Sequence, residues 1–452
     1  MSYVATEKKS ALAVKIETAP LTGTAASTGT AVTGSGTQFT TELVVGNTIG
    51  NATKGWRTVV AIGSDTALTV DFAFTYDLSA DTILKQAVGT SQTMAAGNVI
   101  EWKDFTAESK RDEIARDVNN NSYDDVEPVS GMETVSATIS AELHGSGTAG
   151  VSSEQDALWQ AAIGERTVTV SATTTAASTT TLVKLGAGGS GFRAGQHIIL
   201  DPSAGGTGAY EVTRITEIAT NDLTVYPALS VAPPTGRAIA AAVHYRPSIT
   251  ELHSLALHFY RGGITLEKYR GCKVSGLTLD YTAGQTINPS FTLEGMNTEA
   301  PTASAYTLGT PTPDAGVVHV ARLMTVSMGG ASMAASNVSL NIANELFNVT
   351  ALTTTGVTNV IRVKRTITGS FSVFYANKDI EDAFRNGTTA TLMLVSSTGG
   401  TNLVVGNTVA ISLPKIKYTA VPKSKDNGIY KYDVSFRAAR TLGEDSIFVS
   451  FL

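Results

Sequence analysis

An internal repeat constrains the fold of this chain more than any other feature. Residues 254–283, "SLALHFYRGGITLEKYRGCKVSGLTLDYTA", align without a gap with residues 391–420, "TLMLVSSTGGTNLVVGNTVAISLPKIKYTA", at an offset of 137 positions. Nine of the 30 aligned residues are identical, whereas background frequencies would give about two. The identical residues of the first segment are Leu255, Leu257, Gly262, Gly263, Leu266, Ser275, Tyr281, Thr282 and Ala283. Both segments have the pattern strand, Gly-Gly turn, strand, which predicts a duplicated β domain.

A short helix is predicted upstream of the first segment. The period-two stretch "GMETVSATISAEL" at residues 131–143 precedes "SSEQDALWQAAIG". Ser153 and Asp156 have the spacing of a capping box, and Gly164 is the predicted end of the helix. The apolar stripe of this helix is Leu158, Trp159 and Ala162.

The second copy repeats this order. The stretch "KRTITGSFSVFY" at residues 364–375 precedes "ANKDIEDAFRNG", in which Asn377 is the predicted cap and Gly387 the predicted stop. Its apolar stripe is Ile380, Ala383 and Phe384. Each copy is therefore predicted to contain one short helix within a β domain.

A second repeat separates the pieces of the first copy. Residues 43–75 resemble residues 192–230, and each segment has a glycine turn, a strand opened by an aromatic residue and a closing "LTV". The paired residues are Gly46 with Gly195 and Trp56 with Tyr210. These short, evenly spaced strands predict two small all-β modules, at residues 20–98 and 166–243, inserted into the first copy.

The string "LVVGNT" occurs in both kinds of repeat, at residues 43–48 and 403–408. Its first occurrence belongs to the first module, where the matching segment of the second module is residues 192–197. Its second occurrence belongs to the second copy, where the ungapped alignment matches it with "LEKYRG" at residues 266–271. The identical string therefore occurs in an inserted module and in the duplicated β domain, two units that the repeats do not relate to each other.

The remaining sequence completes the predicted organisation. A stretch rich in proline and glycine without an apolar period predicts a linker at residues 301–316. The first β domain then comprises residues 1–19, 99–165 and 244–300, and the second comprises residues 317–452. A length of 452 residues, with 42% hydrophobic and 16% charged residues, agrees with several mainly β domains.

Charge and cysteine content exclude several classes of protein. The net charge is −6 and the basic residues are scattered, so no basic face for gripping nucleic acid is predicted. The lone Cys272 excludes an internal disulfide framework and any zinc site built on two cysteines. No apolar signal core and no run of 18 apolar residues occur, so no membrane anchor is predicted.

Two motifs resemble ligand sites and fail on spacing. Gly186, Gly188 and Gly191 match a dinucleotide fingerprint, but "FRAGQHIIL" after them is typical of a strand, and the motif needs a helix there. A glycine-rich β turn is predicted instead. The polar stretch at residues 117–125 begins like a calcium loop, with Asp117, Asn119 and Asn121, but it has Ser122 and Pro128 where such a loop needs a glycine and an acid. A polar loop is predicted there.

No catalytic constellation is predicted. The histidines, at His144, His197, His244, His253, His258 and His319, have no HExxH spacing and are predicted to be surface or satisfied core groups. The "HGSG" at 144–147 lacks a nucleophile elbow, and Cys272 is predicted to be a buried small hydrophobe. Asp124 and Asp125 cannot be assigned to facing elements as a glycosidase dyad. The sequence thus predicts no catalytic, cofactor-binding or metal-binding residues, no cofactor and no enzyme activity.

Both copies resemble the tail tube proteins of long-tailed bacteriophages. The stretches that carry the resemblance are "RTITGSFSVFYANKDIEDAFRNGTTATLMLVSSTGG", "ISLPKIKYTA", "YKYDVSFRAARTLGEDSIFVSF" and the opening "ALAVKIET". The resemblance covers residues 1–19, 99–165 and 244–452. It implies two tandem β sandwich or barrel domains, each with one short helix, and rings that stack into a tube around DNA.

The resemblance also implies a function and partners. The chain would be a virion structural protein, made in the host bacterial cytoplasm, whose tube conducts DNA into the host without binding specific sequences. Its partners would be copies of itself and the tape measure, terminator and distal tail proteins. Because the domain is duplicated, three chains would complete a ring of six domains, as opposed to six chains. Loops at residues 105–131 and 347–362 would reach the adjacent ring. The alternatives are another tail component that binds host glycans, such as a distal tail, baseplate or adhesin protein, and a polysaccharide depolymerase.

Overall fold

The computed structural model describes residues 9–452 except 52, 75, 117–125, 204–205, 207, 249, 251, 309–314, 323, 353–355, 376–377, 400–401 and 442. The described residues form 32 strands and three α-helices. This content confirms the predicted mainly β fold class. Among these residues, no helix has the length and apolar character needed to cross a membrane.

The elements are numbered in chain order. The first sixteen strands are β1 (Ala11–Ile16), β2 (Thr18–Pro20), β3 (Thr24–Thr28), β4 (Ala31–Ser35), β5 (Thr48–Asn51), β6 (Gly55–Ser64), β7 (Ala67–Val70), β8 (Leu84–Gln86), β9 (Val99–Ile100), β10 (Asp104–Arg116), β11 (Val126–Ser140), β12 (Gly164–Thr169), β13 (Ala172–Thr173), β14 (Leu182–Lys184), β15 (His197–Leu200) and β16 (Glu211–Ala219). The others are β17 (Asp222–Tyr226), β18 (Ala238–Ile239), β19 (Ala242–Pro247), β20 (Leu255–Arg261), β21 (Thr265–Thr282), β22 (Ser290–Gly295), β23 (Asn297–Ala303), β24 (Thr325–Met328), β25 (Ala331–Ser332), β26 (Ala335–Thr350), β27 (Val357–Phe374), β28 (Thr389–Ser397), β29 (Thr408–Ala420), β30 (Lys423–Asp426), β31 (Ile429–Ala438) and β32 (Phe448–Phe451). The helices are α1 (Phe39–Glu42), α2 (Asp156–Ile163) and α3 (Asp379–Arg385).

Two small sheets have the same strand order. One runs β2-β8-β5-β6-β7-β4-β3 and the other β13-β18-β15-β16-β17-β14, so only β3 has no counterpart. Each sheet has its own apolar cluster, around Phe39 and Ile49 in the first and around Phe192 and Ile198 in the second. The first also contains the single helical turn α1, so the prediction that this segment is all β is wrong at that point.

The remaining strands build two layers in each copy. In the first copy, the order β10-β11-β22-β21 forms one layer and β9-β1-β20-β21-β23 the other. In the second copy, the layers are β26-β27-β31-β29 and β24-β28-β29-β32, and the latter is extended by β19 and β12, since β19 pairs with β32 and β12 with β19. The long strands β21 and β29 each run through both layers. One continuous apolar core fills both copies, because residues from both belong to a single contact cluster.

A β-bulge at the same place in both copies shows which of their residues correspond. Leu255 pairs with Cys272 just before a bulge, and Ala390 pairs with Ile416 just before a bulge of the same size. The offset is therefore 135 positions from Leu255 to Ala390 and 144 positions from Cys272 to Ile416. The hairpin between these paired residues is therefore nine residues longer in the second copy: its loop, residues 398–407, is seven residues longer than the loop at 262–264, and each strand is one residue longer.

The ungapped alignment found the correct strands and matched the wrong residues. Residues 266–271 lie within β21, whereas residues 403–407 lie in the longer loop before β29. The second "LVVGNT" therefore has no counterpart in "LEKYRG". A single offset fails because a loop can lengthen while the hydrogen-bond register on either side of it is kept.

Two predicted loops are strands. Residues 105–131 and 347–362 are largely parts of the hairpins β10·β11 and β26·β27, which pair over most of their length. The period-two signal is weak because most of β10 is exposed and neither of its faces is selected for apolar residues.

Strand β23 extends to Ala303, into the predicted linker. Pro301 lies at a bulge of this edge strand, where its missing N–H costs no ladder bond.

Helix α2 differs from its prediction at one end only. It begins at Asp156, the Ser153 hydroxyl has no hydrogen-bond partner among the described residues, and the predicted capping box does not form. Gly164 ends the helix at a φ of 133°, as predicted, and the predicted stripe residues Leu158, Trp159 and Ala162 are buried. In α3, Ile380 and Ala383 pack on the core while Phe384 is 40% exposed. The predicted cap Asn377 lies outside the described residues.

Candidate assembly surfaces

The two copies join through a shared sheet. Strand β21 of the first copy pairs with β26 of the second, from Gly276 opposite Ala343 to Thr282 opposite Asn337. The result is a continuous run of eight antiparallel strands, β10-β11-β22-β21-β26-β27-β31-β29. A side-chain hydrogen bond from Ser339 Oγ to Asp280 Oδ1, 2.6 Å long, adds to the backbone ladder.

The second copy also caps the helix of the first. The last carbonyl groups of α2 need donors because they have no intrahelical partner. Asn344 Nδ2 donates to the Ala162 carbonyl at 2.9 Å, and Arg365 Nη2 donates to the Ile163 carbonyl at 2.6 Å. Arg365 Nε donates to Asn344 Oδ1 at 3.0 Å, so the two side chains hold each other in position. Desolvation, with a smaller contribution from nearby Arg362, lowers the pKa of Arg365 to about 9.

Replacing Arg365 with methionine should lower the free energy of unfolding by about 2 kcal/mol, because a buried carbonyl and the Asn344 amide oxygen lose their charged donor. Urea unfolding measures the change. Lys364→Met, one residue earlier on the exposed side of β27, is the matched control and should change stability by less than about 0.5 kcal/mol. Equal losses for the two variants would show that the cap does not join the copies.

The surfaces equivalent to this junction are uncovered at the two ends of the run. Among the described residues, strand β10, the counterpart of β26, pairs only with β11, and almost all of its residues are exposed. In the same part of the chain, strand β30, which continues the edge of β29, pairs only with β31. Helix α3 has no buried residue, whereas six residues of α2 are buried. The chain thus exposes one half of this interface at each outer edge of the sheet. Strand β10 at one edge corresponds to β26, and β30 with α3 at the other edge corresponds to β21 with α2.

The sequence motifs lie elsewhere and lack reactive geometry. Gly188 begins a turn at residues 189–191 that is followed by strand β15, so a β turn is confirmed there. In "HGSG", the Ser146 hydroxyl donates to the carbonyl groups of Thr148 and Val151, and His144 Nδ1 lies 3.2 Å from the Gly145 carbonyl oxygen. The calcium-like stretch at residues 117–125, with Asp124 and Asp125, lies outside the described residues.

Cys272 and the histidines are buried groups. Cys272 is 0% exposed, and burial together with Glu17 raises the pKa of its thiol, which keeps it protonated and unreactive. The histidines His144, His197, His244, His253, His258 and His319 are likewise buried. Of the predicted alternatives, surface or satisfied core groups, the histidines are core groups, although the Nε2 atoms of His197 and His319 have no hydrogen-bond partner among the described residues.

Sequence reasoning missed the residues that join the copies. Asn344 and Arg365 lie in strands that contain many polar residues. Nothing in the local sequence distinguishes the two from surface residues. An arginine and an asparagine paired across two adjacent strands could have been noticed only with the register of β26·β27, in which Asn344 is opposite Arg365.

These features define a mainly β structural protein in which a two-layer β domain with one helix is duplicated and joined edge to edge. Residues 82–438 match the family model described as phage tail tube protein, which covers most of the chain. The chain therefore belongs to the phage tail tube protein family, and it is a structural component of the virion tail. Family membership implies self-assembly and association with other tail proteins. No curated protein gives a significant match to the chain.

Proposed function

We propose that the chain is the tail tube subunit and that its uncovered edges pair head to tail into a ring that conducts DNA. The observation that carries this is the contrast between α2 and α3: six residues of α2 are buried and its last carbonyl groups accept hydrogen bonds from Asn344 and Arg365 of the second copy, whereas α3 has no buried residue and no such donors among the described residues. The exposed surface of α3 would become buried if the first copy of the next chain packed against it. Closing the ring also removes the unpaired strand edges, which soluble proteins otherwise protect.

The internal junction predicts the register of the junction between chains. The ladder of the first copy aligns Val274, Leu293, Ala137 and Ala107 in neighbouring strands. The ladder of the second copy aligns Tyr418, Phe436, Gly369 and Leu340 in the same way. Ala107 thus corresponds to Leu340, so the residues just before them, Thr106 and Ser339, correspond to each other. Val274 corresponds to Tyr418, so the residues six positions later, Asp280 and Ser424, correspond to each other. Since Asp280 faces Ser339 within the chain, Ser424 should face Thr106 of the next chain.

A cysteine cross-link tests this register. The variant Thr106→Cys/Ser424→Cys should form covalent bonds between chains when oxidised, because directly opposite strand residues have Cα atoms about 4.5–5.5 Å apart. The single native cysteine, Cys272, is buried and does not interfere. Gel electrophoresis should show covalent dimers and trimers and nothing larger, since three chains would supply six copies of the domain. Asp280→Cys/Ser339→Cys is the matched control and should cross-link only within one chain.

Three outcomes test the number of chains per ring, the register between chains and the assembly itself separately. A ladder of products reaching six chains would overturn the three-chain ring and keep the head-to-tail pairing. Rings visible by negative-stain microscopy without any cross-link between chains would overturn the register. Absence of any assembly by the purified chain, with the control cross-link intact, would contradict its role as the tube subunit.

The remaining parts of the proposal follow from this arrangement. We assign residues 1–19, 99–165 and 244–300 to the first tube domain, residues 317–452 to the second, and residues 20–98 and 166–243 to modules on the outer wall. The linker predicted at residues 301–316 would begin only after Ala303, where strand β23 ends. The hairpins β10·β11 and β26·β27 would contact the adjacent ring. A net charge of −6 favours DNA sliding past without adhering, because like charges repel. Tape measure, terminator and distal tail proteins would be its other partners.

A further inference from the structure

Three metal-ligand side chains from distant parts of the sequence converge beside α2. Glu101 follows strand β9, His144 follows β11 and Glu154 precedes the helix. One donor atom from each lies within 4.8 Å of the other two. The Glu101 backbone N–H also donates to Glu154 Oε1, which ties the end of β9 to the segment before the helix.

The imidazole of His144 is oriented as in metal sites. Its Nδ1 contacts the Gly145 carbonyl oxygen, which can only accept a hydrogen bond, so Nδ1 carries the proton and Nε2 the lone pair. Nε2 lies 3.8 Å from Glu154 Oε1. A tetrahedral ion with bonds of about 2.1 Å holds its ligand atoms about 3.4 Å apart. This pair therefore needs a movement of about 0.4 Å to share an ion, and a pair of donors separated by the full 4.8 Å would need about 1.4 Å.

A buried side chain beside the imidazole lacks one partner. Gln155 is 0% exposed, and its Nε2 donates to the Glu142 carbonyl at 2.6 Å while lying 3.4 Å from His144 Nε2. The carboxamide therefore lies against the imidazole. Its Oε1 has no hydrogen-bond partner among the described residues. Leaving such an acceptor unsatisfied costs about 1–3 kcal/mol, so the surroundings of His144 contain a polar atom that the described chain itself does not satisfy.

We propose that this cluster binds a divalent transition-metal ion of the zinc class, with His144 Nε2, Glu154 and Glu101 as ligands and a water molecule in the fourth position. A nitrogen ligand and a small number of donors favour such an ion over calcium, which takes six or more oxygen ligands. The ion would join the end of β9, the end of β11 and the start of α2. It would stabilise the first copy in a single chain, independently of ring assembly.

Zinc binding to the full chain tests the site. Isothermal titration of chelator-treated protein with Zn²⁺ should give one ion per chain, and added zinc should raise the melting temperature. Glu101→Gln, at an exposed position, should fold normally and weaken zinc binding by at least about tenfold, because it removes a charged ligand. Glu108→Gln, on the exposed strand β10, is the matched control and should bind zinc as the original chain does.

A second measurement does not depend on any variant. Cobalt(II) in place of zinc should give visible absorption bands of a four-coordinate site with nitrogen and oxygen ligands. Equal zinc affinity for Glu101→Gln and Glu108→Gln, a cobalt spectrum of the hexahydrated ion, or no binding at micromolar zinc would each overturn the proposal. None of these outcomes bears on whether the chain forms rings.

Discussion

Replacing Trp159 with alanine should lower the free energy of unfolding by about 3–5 kcal/mol, the usual cost of removing a large buried aromatic side chain. Trp159 is 0% exposed in α2. Its ring lies 5.6 Å from both Phe291 and Phe451 and 6.3 Å from Tyr245, measured between ring centroids. Because these rings come from β22, β32 and β19, the substitution would open a cavity where the first copy meets the C-terminal strand.

Guanidinium unfolding followed by circular dichroism measures this loss. Phe384→Ala in α3 is the matched control, since α3 occupies the equivalent position in the second copy and Phe384 is 40% exposed. We expect a change of less than about 1 kcal/mol for Phe384→Ala in the isolated chain. Similar losses for the two variants would mean that α3 is covered as α2 is, and would contradict the asymmetry between the helices.

Lowering the pH from 7.5 to 5 should destabilise the isolated chain strongly. Burial lowers the pKa of His244 and His253 to about 3 and that of His319 to about 4. In the unfolded chain these groups have pKa values of about 6.5. The unfolded chain therefore binds more protons below pH 6.5, and stability that is complete above that pH is lost as the pH falls toward the folded-state values.

The size of the acid effect follows from the shifts. At pH 5 each of the three histidines costs about 2 kcal/mol, or about 6 kcal/mol together. The direction is opposite for Glu17, since burial raises the pKa of this carboxyl and its contribution favours low pH, which offsets part of the loss. His244 contacts Ser450 and Thr169, His253 contacts Gln86, and His319 contacts Ser396 by side-chain hydrogen bonds.

Urea unfolding at both pH values measures this effect. The variant His244→Gln/His253→Gln/His319→Gln keeps polar side chains at the three positions and removes their titration. Its stability should change by about 6 kcal/mol less between pH 7.5 and pH 5 than that of the original chain. Part of the remaining change would come from His197 and His258, because burial lowers their pKa values too. An unchanged pH dependence in the variant would assign the acid lability to other groups.

The fold was predictable where short-range patterns carry it. Alternation in residues 131–143 and 364–375 predicted β11 and β27, and the apolar stripe with Gly164 predicted α2. The loops assigned to residues 105–131 and 347–362 were wrong, because a hairpin exposed on both faces leaves no periodic apolar signal. The absent capping box shows the same limit, since Ser153 has the correct spacing and its hydroxyl is not used.

The candidate surfaces were predictable only in outline. The duplication implied that an interface between copies exists, and it did not identify Asn344 or Arg365 as the residues that cap α2. The cluster of Glu101, His144 and Glu154 was also invisible, because its members come from separate segments with no metal-ligand spacing. Such sites form when strands and loops far apart in sequence become neighbours.

The sequence by itself determined that this chain is mainly β and that two kinds of unit are each used twice, because strand alternation and turn glycines act over a few residues. It could not determine which residues of the copies correspond. The alignment at one offset of 137 placed "LVVGNT" opposite "LEKYRG", whereas the ladders require offsets of 135 and 144. Only the tertiary structure decided this, because register is fixed by hydrogen bonds and core packing between strands, and a loop can change length without disturbing either.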